Sequence, residues 1–126
     1  LLPATVQRPR PPIWIAGVWP RKPPMRRAAR WDGLAPMFVD AEHGHLPPVD
    51  QVRDVVAYVE QHREERREPY DVIIGGKSDP VSAADLLGPL REAGATWWDE
   101  RQLLPSPELY QLGPVMQRIE AGPPRL

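Results

Sequence analysis

Short apolar runs alternate with amphipathic segments along most of this chain, and that alternation constrains the fold more than any other feature. Residues 13–16 and 70–74 are rich in β-forming side chains and stop at glycine, which predicts buried strands. Residues 34–39 and 95–98 predict two more, although Pro36 weakens the first of these because proline cannot donate to a sheet ladder. Apolar strands separated by amphipathic helices predict an α/β fold with a parallel sheet, in the order β-α-β-α-β-α-β-α.

The clearest helix prediction follows Pro47 and Pro48, because proline is tolerated in a first helical turn. Asp50 places negative charge near the N-terminus of that helix, which favours the helix dipole. Apolar residues then recur at i, i+3, i+4 and i+7, which predicts one buried stripe. The stripe consists of Val52, Val55, Val56 and Val59.

Three further helices are predicted. A short one covers residues 25–31, and another begins at Asp79–Pro80, a favourable pairing of N-cap and first helical residue. Gly94 suits the position just after that helix, and the Gly88–Pro89 pair within it predicts a kink. The last helix is expected over about 106–121.

Composition limits the class of protein. With 126 residues the chain has room for one domain but not for a complete eight-stranded β/α barrel, which needs roughly 200 residues. The net charge of −1 gives no electrostatic reason to expect nucleic acid or an anionic membrane surface. The chain has no cysteine, which excludes disulfides and thiolate chemistry and is compatible with a cytoplasmic location. We expect residues 1–12 to be a proline-rich lead-in and residues 13–126 to form the domain.

Ligands of parallel α/β sheets bind at the carboxyl ends of the strands, so the segment after each predicted strand is a candidate site. After the first strand, Gly17 would let backbone amides approach an anion, and Arg21 and Lys22 add positive charge, which suggests a phosphate site. The alternative is a tight turn with solvated basic residues. After the second strand, residues 40–45 contain two histidines and two carboxylates, but an exposed loop is favoured over a metal site.

The third and fourth segments give weaker signals. Residues 75–78 read Gly-Gly-Lys-Ser, but Asp71 stands where a nucleotide P-loop needs glycine, so that motif is rejected. A backbone contact with phosphate remains open there, as does a flexible loop with Ser78 capping a helix. Trp97 and Trp98 point to opposite faces of a strand, so at most one lines a site while the other packs beneath helices. No hydrolase triad, carboxylate pair or dinucleotide fingerprint identifies catalytic residues.

Several motifs taken together resemble a known family. The segments PPIWIAG, WP, RRAARWDG and GATWW, from Pro11 to about Trp98, resemble the C-terminal half of luciferase-like flavin-dependent monooxygenases. The terminal RIEAGPPRL is similar to the ending of one branch. The resemblance implies a partial TIM barrel, a half-barrel of about four β/α units with parallel strands.

The same resemblance implies a cofactor and a partner. Family members hold reduced FMN, or in some branches a deazaflavin coenzyme, at the carboxyl ends of the strands. Carried onto this chain, the residues near the cofactor phosphate are Ala16, Gly17, Val18 and Trp19, with Arg21 close by. No metal is implied. The expected partner is the missing N-terminal half-barrel or a second copy of the chain, since a half-barrel leaves two sheet edges and an inner face uncovered.

Two functions follow from these expectations. The first is a fragment of a flavin-dependent oxidoreductase or monooxygenase, which contributes contacts to the cofactor phosphate but lacks most catalytic groups. The alternative is a non-catalytic half-barrel that binds flavin or a partner and associates with itself.

Overall fold

Helices and strands alternate throughout the computed structural model, which describes residues 6–41, 45–64, 69–78, 82–101 and 112–123. The four strands of these regions form one sheet in the order β1-β2-β3-β4, and each neighbouring pair is parallel. This confirms the predicted α/β class and parallel sheet, and the arrangement is compatible with half of a β/α barrel. The elements are β1 (Trp14–Trp19), α1 (Lys22–Ala28), β2 (Gly33–Phe38), α2 (Val49–Gln61), β3 (Asp71–Gly76), α3 (Ala83–Glu92), β4 (Trp97–Glu100) and α4 (Leu112–Glu120).

The hydrophobic core lies between the sheet and the helices. Leu34 of β2 and Ile74 of β3 are almost completely buried on the helix side of the sheet. Three of the four valines predicted to form the stripe of α2, Val52, Val55 and Val59, are buried in this core. The fourth, Val56, is half-buried against it. Burying an aliphatic side chain of this size stabilises the folded state by about 1.5–3 kcal/mol.

Helix α1 begins three positions earlier than expected. Two prolines stand in its first turn, where their missing N–H groups have no partner within the helix in any case. The helix buries Met25 and Ala28 completely. The helix also ends at Ala28, three positions before the predicted end at Trp31.

Pro36 is part of β2 and shapes the pairing of that strand. The β1–β2 ladder runs without interruption from the Trp14–Gly33 pair to the Trp19–Phe38 pair. The β2–β3 ladder contains only two residue pairs, at Gly33 and Leu34, and stops before Pro36. Because proline lacks an N–H, a ladder that ends before it leaves no broken hydrogen bond within the sheet.

Helix α3 buries Ala83, Leu87 and Leu90 and continues through Pro89. Gly94 follows it with φ of 108°, as expected for the residue after a helix. The predicted start at residues 79–80 lies outside the described residues, as do residues 106–111 of the last predicted helix. Within the described part, α4 buries none of its residues.

The opposite face of the sheet is not covered by these helices, and it exposes large apolar side chains. Trp14 is 43% exposed, Met37 is 44% exposed and Trp97 is 54% exposed. At the amino ends of the strands, the Trp14 and Trp97 rings lie 5.8 Å apart, and both donate their indole N–H to the Asp71 carboxylate at 2.9 Å. We call this side of the sheet the open face.

The end of the lead-in is attached to the domain. Nη1 of Arg10 lies 2.6 Å from the carboxylate of Asp32, and its guanidinium lies over the Trp31 ring. The same carboxylate accepts a hydrogen bond from the backbone N–H of Ile13. Asp32 therefore fixes the chain just before β1 to the turn before β2.

No helix in the described regions combines the length and hydropathy that crossing a bilayer requires.

Candidate site at the carboxyl ends of the strands

The residues expected near a cofactor phosphate lie mostly within β1 rather than in a loop after it. The strand continues through Gly17 to Trp19, whereas the sequence reading ended it at Ala16. Gly17 is buried against α1, and a Cβ atom there would lie only 2.5 Å from Cβ of Pro24. This glycine therefore permits close packing of α1 on β1. Ala16 is exposed on the open face, and Val18 is half-buried there.

The turn after β1 presents one exposed cation to solvent. The backbone N–H of Arg21 donates to the carbonyl of Val18 at 2.9 Å, so this amide is already used within the turn. The Arg21 side chain remains exposed. Of the features proposed for a phosphate site at β1, the guanidinium of Arg21 is the group best placed to reach a ligand.

Lys22 has a different environment from Arg21. Its ammonium lies 3.6 Å from the centre of the Trp19 ring and 4.2 Å from that of Tyr58. Nε of Arg26 donates to the hydroxyl of Tyr58. The contacts of Lys22 and Arg26 join the end of β1 to α1 and α2. The cation–π attraction of Lys22 is worth about 0.5–2 kcal/mol. Lys22 therefore stabilises the packing of α1 and α2 at the end of β1, a role that the sequence alone does not predict.

Glu100, the last residue of β4, is the centre of a polar cluster at the carboxyl ends of β3 and β4. Its carboxylate accepts hydrogen bonds from the backbone N–H and the hydroxyl of Ser78. It also accepts from Nε1 of Trp98 at 2.8 Å and from Nη2 of Arg118 at 3.1 Å. Ser78 thus binds Glu100, whereas the sequence reading favoured it as a helix cap. The other proposed cap, Asp79, lies outside the described residues.

These contacts decide the charge of Glu100. Burial raises the pKa of its carboxyl, but the hydrogen bonds from Ser78, Trp98 and Arg118 outweigh burial and lower the pKa to about 2. The carboxylate is therefore ionised at any physiological pH. A group that holds no proton in this range is unsuited to general acid catalysis. Its contact with Arg118 joins α4 to the end of β4.

A cleft of about 530 Å³ separates β4 from α4 and the residues after it. Its walls are largely apolar, and the Glu100–Arg118 pair supplies its charge. Trp98 lines this cleft and also packs against the core, whereas Trp97 lies on the open face. The two tryptophans therefore lie on opposite faces as predicted, but one residue, Trp98, takes both of the roles that were expected to be divided between them. The lining residues are Trp98, Glu100, Val115, Arg118, Ile119, Gly122 and Pro123.

The two glycines at the end of β3 allow other groups to lie close to the strand. A Cβ on Gly76 would lie 2.8 Å from Cη2 of Trp98, on the helix side. A Cβ on Gly75 would lie 2.5 Å from Nε of Arg101, on the open face. The Gly-Gly pair therefore serves side-chain packing on both faces, and the adjacent Lys77 is exposed.

The alternative metal site in residues 40–45 falls partly outside the described residues, which omit 42–44. Asp40 accepts a hydrogen bond from Gln51. In the regions that the structure describes, no group of three or more histidine, cysteine or acidic side chains has a geometry that would hold a metal ion.

The candidate segment after the fourth predicted strand includes Glu100, but the sequence assigns it no role, and Arg118 and Arg101 were not predicted at these strand ends. Glu100 and Arg101 follow the tryptophan pair after Asp99, and their position at the end of a predicted strand was a usable signal. Arg118 gave no such signal, because its partner is 18 residues away and α4 was predicted only approximately.

Compared with protein-family models, curated proteins and solved structures, the chain matches none of them.

Proposed function

We propose that this chain is the C-terminal half of a luciferase-like flavin-dependent oxidoreductase and contributes contacts to the phosphate end of a reduced flavin, FMN or a deazaflavin coenzyme. The observation that carries the proposal is the one-sided parallel sheet. Strands run in the order β1-β2-β3-β4, the core lies on the helix side, and the open face exposes Trp14, Met37 and Trp97. A β/α barrel cut in half has this arrangement, because its inner face meets the other half.

The motif residues that carry the family resemblance also have structural roles consistent with it. Asp32 of the WDG segment binds the backbone of Ile13 just before the IAG strand. A Cβ on Gly33 would lie 2.6 Å from Cδ1 of Trp14, so the indole can cross β2 only over a glycine. Because of these contacts, the pairing of β1 with β2 depends on residues of both the IAG and the WDG segments. This supports treating the two segments as one combined motif.

Within the proposed enzyme, the flavin supplies the redox chemistry and this chain holds the cofactor's anionic end. Arg21, exposed at the end of β1, is the residue proposed to pair with the phosphate. The isoalloxazine ring and the substrate would contact the other half-barrel. The chain alone is therefore expected to bind flavin weakly and to show no turnover.

A fluorescence titration with FMN and with the deazaflavin coenzyme tests this proposal. We expect weak, saturable binding that falls about tenfold in Arg21→Gln, which is the loss of one charge-assisted contact. Arg53→Gln on the exposed side of α2 is the matched control and should bind like the unmodified chain. Substitution of Gly17 is a poor test, because a side chain there would collide with Pro24 and disturb α1. Equal affinity of Arg21→Gln and Arg53→Gln would refute the phosphate role.

A second function, self-association without catalysis, is favoured by the exposed apolar side chains of the open face. Sedimentation velocity distinguishes it from a stable monomer of 14.3 kDa. Met37→Glu places a charge on this face at a position outside the buried core. If two copies cover each other's open faces, this variant should be monomeric at concentrations where the unmodified chain is dimeric. A monomer at all concentrations in both proteins would exclude this function.

A further inference from the structure

Arg101 directly follows β4, and its side chain lies on the open face above Gly75. The position of a Cβ on Gly75 is 2.5 Å from Nε, 2.6 Å from Cζ and 2.7 Å from Nη2 of Arg101. Three guanidinium atoms therefore lie where a side chain at residue 75 would begin, so the group packs directly against the strand at this glycine. This contact is possible only because residue 75 has no side chain.

Two further contacts fix the guanidinium. Nε of Arg101 donates to the Asp99 carboxylate at 2.8 Å. The backbone N–H of Arg101 donates to the carbonyl of Gly76 at 2.7 Å, which holds the residue at the end of the sheet. A guanidinium held in one orientation loses less conformational entropy when it binds a ligand.

The outer edge of the guanidinium remains available. Asp99 occupies Nε alone, and in the part of the chain that the structure describes neither Nη group has a hydrogen-bond partner. The side chain is 35% exposed, at the carboxyl ends of the strands. Met37 and Ile73 present apolar surface on the same face. The site therefore combines an oriented cation, paired on one side with Asp99, with nearby apolar surface.

We propose that Arg101 binds the carboxylate or phosphate group of a small, largely apolar ligand that lies over the open face, with both Nη groups donating to two of its oxygens. End-on pairing of this kind matches the geometry of both oxyanions. Asp99 acts as a positioning residue, since it holds Nε and leaves the outer edge free. The proposal goes beyond the flavin phosphate contact at β1 and does not depend on it, because it uses the opposite edge strand of the sheet.

Titration of the folded chain with inorganic phosphate and, separately, with benzoate tests the proposal and distinguishes the two oxyanions. The readout is the ¹⁵N resonance of the Arg101 Nε, identified by its absence in Arg101→Gln, at constant ionic strength. We expect one of the anions to shift it saturably. Gly75→Ala keeps the charge but displaces the guanidinium, and should weaken binding about tenfold. Arg91→Gln, an exposed arginine of α3, is the control and should bind normally.

Arg101→Lys covers the case in which Gly75→Ala does not fold, as judged by circular dichroism. It keeps the positive charge but lacks the two-pronged donor, so its binding should also fall. A resonance that neither anion shifts would overturn the proposal. Because Arg101→Lys has no guanidinium resonance, its affinity and that of the unmodified chain are compared by isothermal titration calorimetry. Equal affinities would overturn the proposal too, because the cation alone would then suffice. Loss of flavin binding in Arg21→Gln with intact anion binding at Arg101 would separate this proposal from that of the flavin site.

Discussion

Nη2 of Arg118 lies 3.1 Å from Oε2 of Glu100, and this ion pair joins α4 to the end of β4. No residue of α4 is fully buried, so the pair and its neighbours are a principal attachment of that helix to the sheet. Both side chains are mostly buried, with 12% of Arg118 and 21% of Glu100 exposed. Breaking such a pair leaves a buried charge without its partner, which costs more than the loss of an exposed pair.

Glu100→Gln should therefore lower the free energy of unfolding by about 2 kcal/mol at neutral pH, since hydrogen bonds to a charged group are each worth about 1.5–3 kcal/mol. The pKa of Glu100 falls from 4.5 to about 2 on folding. The contribution of the ionised Glu100 to the free energy of unfolding is thus complete above pH 4.5, and it is lost as the pH falls from there towards 2. Urea unfolding at a series of pH values checks this. Parallel pH profiles for the variant and the unmodified chain would contradict it.

Substitution by alanine should have opposite effects on stability at Gly94, which follows α3, and at Gly88, which lies within it. Gly94→Ala should cost about 1–3 kcal/mol, because φ of 108° strains any side chain and the new Cβ would lie 2.9 Å from Val56. Gly88→Ala should stabilise the protein by about 0.5–1 kcal/mol, because the position is within a helix. Apart from its chain neighbours and the backbone of its own helix, a Cβ on Gly88 would meet no atom of the described residues within 4 Å. Thermal unfolding of the two variants should therefore shift in opposite directions, and shifts of the same sign would show this reading to be wrong.

Asp71→Ala removes the shared acceptor of the Trp14 and Trp97 indoles. Both rings are partly exposed, so water can replace the carboxylate and the loss of stability should stay near 1 kcal/mol. The tryptophan emission spectrum should change, because the two rings no longer have a common anchor. Asp54→Ala on the exposed side of α2 is the control and should leave the spectrum unchanged. Identical spectra for the Asp71 variant and the unmodified chain would argue against this bridge in solution.

Tyr70→Phe deletes the hydrogen bond from the Tyr70 hydroxyl to the carbonyl of Ala28, which is 3.2 Å long, and should cost about 1 kcal/mol. Burial raises the pKa of this phenol above its ordinary value of 10.0. The folded state thus favours the neutral form, and stability should fall as the pH rises above 10. Absorbance titration of phenolate formation should show one late-titrating tyrosine that is missing in Tyr70→Phe. Its persistence in the variant would refute the assignment.

Sequence periodicity predicted the helices and strands where one apolar stripe determines them. Helix α2 is the clearest case, because its valines can be buried only if the segment is helical. The ends of strands and helices were less predictable where a glycine or proline was taken to mark the end of an element. Gly17 lies inside β1 because α1 packs against it, and Pro36 lies inside β2 because the ladder with β3 has already ended. Both depend on a neighbouring element that a local pattern does not specify.

The rim of the sheet was predictable in position but not in composition. The rule that ligands bind at the carboxyl ends of parallel strands located the segments at Arg21 and Gly75. It did not reveal that Lys22 lies between two aromatic rings or that Arg101 rests on Gly75. These arrangements arise from contacts across 26 to 36 positions of sequence, which only the folded chain brings together.

The short ladder between β2 and β3 divides the sheet into two firmly joined pairs of strands. β1 and β2 are linked over six residue pairs and β3 and β4 over four, but only two join the pairs to each other. The sheet therefore has a seam along its middle, where backbone amides should exchange with deuterium sooner than those on either side. Each β-α-β unit would remain intact while the seam opens, so the curvature of the whole sheet can adjust without loss of either unit.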